Sequence, residues 1–153
     1  MKNPDETFEE SKARKRRGQQ GKAAEAKVAA VLNKLKIAGK LDFIRLLDAR
    51  TCGRPVPQQP ADYVVFREGR IGCLLEIKEI SKGNRLPKKS FSQLPRMLSM
   101  AVHAHPILLV FLSDRNEWWS MRVHEMDPSA ASWKIDEKLG SKVSNLEAAL
   151  IAD

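Results

Sequence analysis

The hydrophobic positions of the chain follow helical spacing in two places. From about Gln19 to Gly39, apolar residues recur at intervals of three and four, which predicts an amphipathic helix. Its stripe consists of Ala24, Val28, Val31, Leu32 and Leu35. A shorter stripe predicts a second helix that ends before His105-Pro106, because proline cannot continue a helix. Its apolar members are Leu94, Met97, Leu98 and Ala101.

Short apolar runs between and after these helices predict strands. Residues 42–51 are rich in Ile, Leu and Phe, and the segment that follows carries three prolines, which cannot lie inside a sheet ladder. Residues 61–66 and 71–80 flank Arg67-Glu68-Gly69-Arg70, where the glycine suits a tight turn, so they predict a β-hairpin. Residues 107–113 and 117–123 predict two further strands.

The two ends of the chain have weaker patterns. Residues 1–17 lack apolar periodicity and predict a flexible basic arm, which leaves residues 18–153 as a single domain. Near the other end, Ser144 and Glu147 have the spacing of a capping box before Ala148–Ile151, which predicts a last helix. The predicted order is α, β, β, β, α, β, β, α.

Composition narrows the class of protein. With 153 residues, 42% hydrophobic and 30% charged, the chain suits one folded domain in water. Its longest apolar run, Ile107–Leu112, is too short to span a membrane, and the N-terminus lacks an apolar signal core. Cys52 and Cys73 do not have the spacing of a zinc site, which indicates reduced thiols and a cytoplasmic location.

The net charge of +8 is concentrated in two segments. Residues 11–22 carry six basic residues and residues 81–113 carry five, and neither segment contains an acid. A field of this kind attracts a polyanion, either nucleic acid or an anionic membrane surface. Aromatic residues do not interleave the first segment, which argues against base stacking there.

Acidic residues inside the apolar strands are the informative chemical feature. Strand alternation places Glu76 and Lys78 on one face of the segment 73–80. A three-residue hairpin loop or a β-bulge would place Asp62 opposite Glu76, whereas a regular two-residue loop would place the two acids on opposite faces. Opposed carboxylates repel each other unless a cation lies between them. The sequence permits both registers.

The run Pro60-Ala61-Asp62, followed after thirteen residues by Glu76-Ile77-Lys78, resembles the PD-(D/E)xK nuclease signature, with an alanine separating proline and aspartate. The predicted order is similar to the αβββαβ restriction-endonuclease-like core of that superfamily, an α/β fold whose helices flank a mixed central sheet. Small Holliday junction resolvases of archaeal, bacterial and phage type are most similar. Their first-helix Gly-x-x-x-Glu matches Gly21 to Glu25, and Gln93 matches a glutamine on the helix after the Glu-x-Lys strand.

The resemblance implies a homodimeric endonuclease that resolves four-way DNA junctions in recombination or repair and leaves 5′-phosphate ends. Asp62 and Glu76 would bind Mg²⁺ or Mn²⁺, with the Ile77 carbonyl as a third ligand. Lys78 would orient the attacking water. The implied catalytic set is Glu25, Asp62, Glu76, Lys78 and Gln93.

Basic residues near these positions are the expected DNA contacts. They are Arg14, Lys15, Arg16, Arg17, Arg50, Arg54, Lys82, Arg85, Lys88, Lys89 and Arg96. The apolar strand 107–112 with Trp118 and Trp119 is the candidate dimer interface. Two other functions stay open: a restriction-type or repair endonuclease on duplex DNA, and a basic DNA-binding protein without catalysis.

Overall fold

The computed structural model describes residues 8–46 and 59–151, and their side chains from residue 23 onward. The helices are α1 (Phe8–Ile37), α2 (Leu94–Met100) and α3 (Leu146–Ile151). The strands are β1 (Asp42–Arg45), β2 (Tyr63–Arg67), β3 (Arg70–Ile80), β4 (Arg85–Pro87), β5 (His105–Leu112), β6 (Glu117–Met121), β7 (Ser132–Lys134) and β8 (Gly140–Val143). Short 3-10 turns cover Lys88–Ser90 and Val123–Glu125.

Six strands form one mixed sheet in the order β1-β2-β3-β5-β6-β8. Strands β3 and β5 are parallel, and the other neighbouring pairs are antiparallel. Helices α1 and α3 pack on one face of this sheet, and α2 packs on the other together with the small β4-β7 sheet. The structure therefore confirms the predicted α/β class and the αβββαβ order of its core.

Alternation along β3 divides its side chains between the two cores. Cys73, Leu75 and Ile77 pack in the core beneath α1, whereas Leu74 and Ile80 pack in the core beneath α2. Residues 76 and 78 therefore face α2. This places a glutamate and a lysine on a sheet face that is otherwise apolar.

A β-bulge in the β2-β3 hairpin fixes the register near these residues. The hairpin has the two-residue turn Glu68-Gly69, and both turn residues have positive φ, 52° and 75°. Phe66 pairs with Ile71 but Val65 pairs with Cys73, so one extra residue, Gly72, is inserted in β3. Because Tyr63 then pairs with Leu75, the preceding residue, Asp62, lies at the position opposite Glu76.

The ends of several elements differ from the sequence prediction. Helix α1 begins at Phe8 rather than near Gln19, so residues 8–17 of the predicted basic arm are helical. Helix α3 is capped by Asn145, whose side-chain oxygen accepts a hydrogen bond from the Ala148 backbone N–H at 3.3 Å. The predicted capping box is therefore wrong, and Glu147 instead pairs with Lys34 of α1.

The position of β5 makes this strand unavailable for the predicted dimer interface. This strand lies between β3 and β6, and its residues from Pro106 to Leu112 are buried within the chain. Trp119 is buried in the core beneath α2, and Trp118 packs beside Phe111 with ring centroids 4.7 Å apart. Their hydrophobicity therefore serves the core of one chain.

Cys73 is a free, buried thiol, and burial raises its pKa to about 11. Cys52 lies outside the described residues. Among the described residues, no helix is both long and apolar enough to cross a membrane.

Packing of β6 against β8 leads to a stability prediction. A Cβ atom on Gly140 would lie 2.7 Å from the Ser120 backbone oxygen and 2.7 Å from the Met121 sulfur. We expect Gly140→Ala to lower the free energy of unfolding by about 1–3 kcal/mol, since backbone must move. Gly72→Ala is the matched control, because its Cβ would lie 3.4 Å from the nearest atom, the Val65 oxygen. Urea unfolding measures both, and equal losses would contradict the prediction.

Candidate functional site

Asp62 is held at the edge of β3 by both its main chain and its side chain. Its backbone N–H donates to the Leu75 carbonyl at 3.0 Å. Its carboxylate Oδ2 accepts a hydrogen bond from the Ile77 backbone N–H at 2.9 Å. The two bonds straddle position 76, so the Asp62 carboxylate is fixed beside the Glu76 side chain.

Glu76 is the centre of the site. Its exposed fraction is 1%, and among the described residues it is the one buried charged side chain. Its Oε1 accepts from the Lys78 ammonium at 2.9 Å and from the Gln93 side-chain amide at 3.3 Å. Its Oε2 is buried and has no hydrogen-bond partner. A carboxylate in this position has an unused acceptor that faces neither water nor a donor.

The two neighbouring acids both bind protons more readily than usual. Burial raises the pKa of Glu76 to about 7; the Asp62 charge adds to this shift and Lys78 opposes it. Burial also raises the pKa of Asp62, the hydrogen bond from Ile77 opposes that shift, and the Glu25 charge adds to it. The site therefore favours a proton or another cation next to its carboxylates.

Gln93 links α2 to the sheet face that bears Glu76. It precedes the first residue of α2, and its amide nitrogen reaches Glu76 while its amide oxygen is buried without a partner. Buried polar atoms almost always have a partner, so two such acceptors in one site suit a hydrogen-bond donor or a cation. A metal ion is one group that would satisfy both.

The donor set suits a hard divalent cation. Mg²⁺ and Mn²⁺ bind oxygen ligands, and Mg²⁺ commonly takes one or two carboxylates and keeps several waters. Asp62 and Glu76 supply two carboxylates, and the side-chain oxygen of Gln93 and backbone carbonyls are further oxygens. In the part of the chain that the structure describes, no group of three or more His, Cys, Asp or Glu side chains is arranged to hold a metal. The residues therefore fit a magnesium-like ion and do not form a closed zinc-type site.

Glu25 lies near these acids but has another partner. It projects from α1 and forms an ion pair with Arg45 of β1 at 3.0 Å. The Tyr63 side chain also hydrogen-bonds to Glu25, and burial raises the Tyr63 pKa to about 12. These three residues line a cavity of about 280 Å³. After burial, the charge of Glu25 is a smaller contribution to the raised pKa of Asp62.

Sequence reasoning missed Arg45 and Tyr63. Arg45 pairs with Tyr63 across the β1-β2 ladder, which brings the guanidinium to Glu25. The sequence signal was an arginine within the apolar run of residues 42–51. Its register against β2 was not predictable, because residues 46–62 separate the two strands.

The structure places the other predicted residues in three ways. Ile77 meets the site through its backbone N–H, and its side chain packs beneath α1. Five basic residues are exposed or half-exposed between β3 and the end of α2: Lys82, Arg85, Lys88, Lys89 and Arg96. Arg14, Lys15, Arg16 and Arg17 lie in α1, where only the backbone is described. Arg50 and Arg54 lie outside the described residues.

Burial of Glu76 gives a pH prediction. Its pKa rises from the ordinary 4.5 to about 7 in the folded protein. Between these values the folded state binds more protons than the unfolded state, so the free energy of unfolding falls as pH rises through this window. Glu76→Gln removes this titration. We expect the free energy of unfolding of Glu76→Gln, measured in chelator and relative to that of the parent, to increase by on the order of 3 kcal/mol as pH rises through this window.

Urea unfolding between about pH 5 and pH 8 measures this effect. Glu137→Gln, which neutralises an exposed carboxylate, is the control and should parallel the parent. If the stability of Glu76→Gln and that of the parent changed with pH in parallel, the prediction that burial raises the pKa of Glu76 would be contradicted.

Comparison with solved structures shows a similarity in fold. The sequence matches no family model and no curated protein. A similar solved structure is that of Archaeoglobus fulgidus Hjc, a Holliday junction resolvase from an archaeal hyperthermophile. The similar region covers 80% of this chain and 97% of that chain. The two sequences are 21% identical, and the TM-score is 0.49.

Proposed function

We propose that this protein is a metal-dependent endodeoxyribonuclease that cleaves branched DNA, with a four-way junction as its substrate. The observation that carries the proposal is the buried Glu76 carboxylate, whose Oε2 has no partner and which lies beside Asp62, Lys78 and Gln93. A purely structural role leaves this arrangement unexplained, because an unpaired buried acceptor destabilises the fold.

The residues of the site match the demands of phosphodiester hydrolysis. That reaction needs an in-line water and positive groups near the phosphoryl oxygens. Asp62 and Glu76, with the Ile77 carbonyl, would hold Mg²⁺ or Mn²⁺, which when bound lowers the pKa of water and offsets phosphoryl charge. Lys78 keeps 21% of its side chain exposed, so its ammonium can donate to the attacking water or a phosphoryl oxygen while Glu76 holds it.

Gln93 and Glu25 have supporting roles in this proposal. Gln93 holds the Glu76 carboxylate from the α2 side through its amide hydrogen bond. Glu25 adds negative charge near Asp62, which favours a cation there. Both groups act on the carboxylates, so their removal should weaken cleavage less than removal of Asp62 or Glu76.

The surrounding charge supports a nucleic-acid substrate. Residues 81–113 carry basic residues without an acid, and they follow directly on the strand that bears Glu76 and Lys78. Exposed lysines and arginines there would neutralise DNA phosphates on either side of the cleaved bond. We propose that a homodimer presents two such sites to the two symmetric strands of a junction, leaves 5′-phosphate ends and acts in recombination or repair.

Three substitutions test the catalytic assignment. We expect Asp62→Asn, Glu76→Gln and Lys78→Ala to lower junction cleavage in Mg²⁺ by about 100-fold or more, because each removes a charge that acts in the transition state. Junction binding, measured by fluorescence anisotropy, should change little. Lys138→Ala, at an exposed lysine between β7 and β8, is the matched control. Cleavage at the parental rate by the three variants would refute the assignment.

Substrate choice is tested separately. A synthetic four-way junction and linear duplexes of the same sequences are compared in Mg²⁺, in Mn²⁺ and in chelator. We expect cleavage of the junction alone, only with a divalent ion. Equal cleavage of linear duplex would favour a restriction-type or repair endonuclease. Salt-dependent binding without product in any divalent ion would favour a DNA-binding protein without catalysis.

A further inference from the structure

An apolar groove lies beside the candidate site on the α2 face. Its volume is about 680 Å³, which is within the roughly 300–1,000 Å³ of ligand-binding clefts. Exposed walls of the groove come from Pro87, Pro95, Pro128 and Ala131. The lining residues come from two separate segments of the chain, 87–95 and 128–133, so the groove is a product of the tertiary fold.

The groove is preformed by a rigid support. Strands β4 and β7 pair beneath it, and the Lys88 backbone N–H donates to the Ala131 carbonyl at 3.0 Å. Phe91 and Trp133 form its buried floor and contact each other edge to face, with ring centroids 6.1 Å apart. The Trp133 indole N–H donates to the Asp127 carbonyl at 3.0 Å. A ligand would meet an apolar surface that needs no rearrangement.

The groove adjoins the sheet face that bears the candidate site. Ser92 and Leu94 line it, and Gln93 between them turns its side chain to Glu76. The groove and the candidate site are therefore joined through the chain at residues 92–94.

Lysines border the groove. Lys88 and Lys89 are both exposed lining residues, and Arg85 and Arg96 lie on the adjoining β4 and α2. The nearby acid, Asp127, accepts hydrogen bonds from the Ser129 backbone N–H and hydroxyl, and Lys88 helps to lower its pKa. The border as a whole is basic around an apolar centre.

We propose that this groove binds an unstacked base of branched DNA, next to the phosphate that is cleaved, while Lys88 and Lys89 contact the flanking phosphates. This inference rests on the proposed function and specifies its substrate. A nucleotide joins a flat, largely apolar ring to an anionic phosphate, which matches an apolar groove with a basic border. Bases at a branch point have lost part of their stacking, so moving one into the groove costs less than extracting it from a duplex.

The test uses 2-aminopurine, whose fluorescence rises when the base leaves a stack. It is placed either at the branch point or within one arm of a four-way junction, and the Glu76→Gln variant is used so that the DNA stays intact. We expect a rise on binding for the branch-point probe and little change for the arm probe. Ala131→Phe fills the groove and should abolish the rise and weaken junction binding about 5- to 10-fold, the order expected when roughly 50 Å² of apolar surface is no longer buried.

Two further variants keep the result interpretable. Ala30→Phe makes the same change at an exposed alanine of α1, on the other face of the sheet, and should leave the rise unchanged. Lys88→Ala with Lys89→Ala changes only exposed side chains. The pair should lower the slope of log affinity against log salt by about 0.9 for each phosphate that these lysines neutralise in the parent.

Cleavage and fluorescence separate the two proposals. If the parent cleaves the junction but the rise is the same in Ala131→Phe, the base-binding groove is refuted and the proposed function stands. Equal rises at branch and arm also refute it. If the parent cleaves no DNA in any divalent ion, the proposed function fails, while a groove-dependent rise in the binding assay still supports the groove.

Discussion

The buried carboxylate of Glu76 is the constraint on which the site depends. Removing an ion from water costs several kcal/mol, and Lys78 and Gln93 satisfy only one of its two oxygens. The charge of the neighbouring Asp62 adds repulsion, which a backbone hydrogen bond from Asp62 partly offsets. The other β3 residues on this face, Leu74 and Ile80, are apolar and offer the charge no partner. The structure therefore compensates the buried charge of Glu76 only in part.

That constraint is met through the backbone of β2 and β3. Without the insertion of Gly72, the two-residue turn would have placed Asp62 opposite Leu75 and turned its side chain toward α1. The bulge shifts the register by one residue, which places Asp62 opposite Glu76, on the α2 face of the sheet. A single residue outside the site, Gly72, thus determines whether the two carboxylates meet. The parallel strand β5 pairs with the other edge of β3 and places it inside the sheet.

The sequence predicted what depends on local periodicity. The stripe of α1, the hairpin, the buried strand β5 and the shared face of Glu76 and Lys78 all follow from spacing within one element, and the structure confirms them. Register between elements was not predictable, because it depends on the bulge and on which strands become neighbours. Strands of three or four residues, such as β4, β7 and β8, carry too few positions to show alternation. The Arg45 partner of Glu25 and the groove beside Gln93 arise only from tertiary contacts.

The two faces of the sheet differ in how their polar groups are paired. On the α1 face, helices and β-strands form a core whose polar groups are largely paired, as Glu25 is with Arg45. On the α2 face, the unpaired carboxylate oxygen, the unpaired amide oxygen and the apolar groove meet at the start of α2. Gln93 joins these features, since its side chain contacts Glu76 while its chain neighbours line the groove. If the groove binds a DNA base as proposed, the bound base would contact the chain on either side of the residue that holds the carboxylate, and recognition of DNA would be coupled to the geometry of the proposed site.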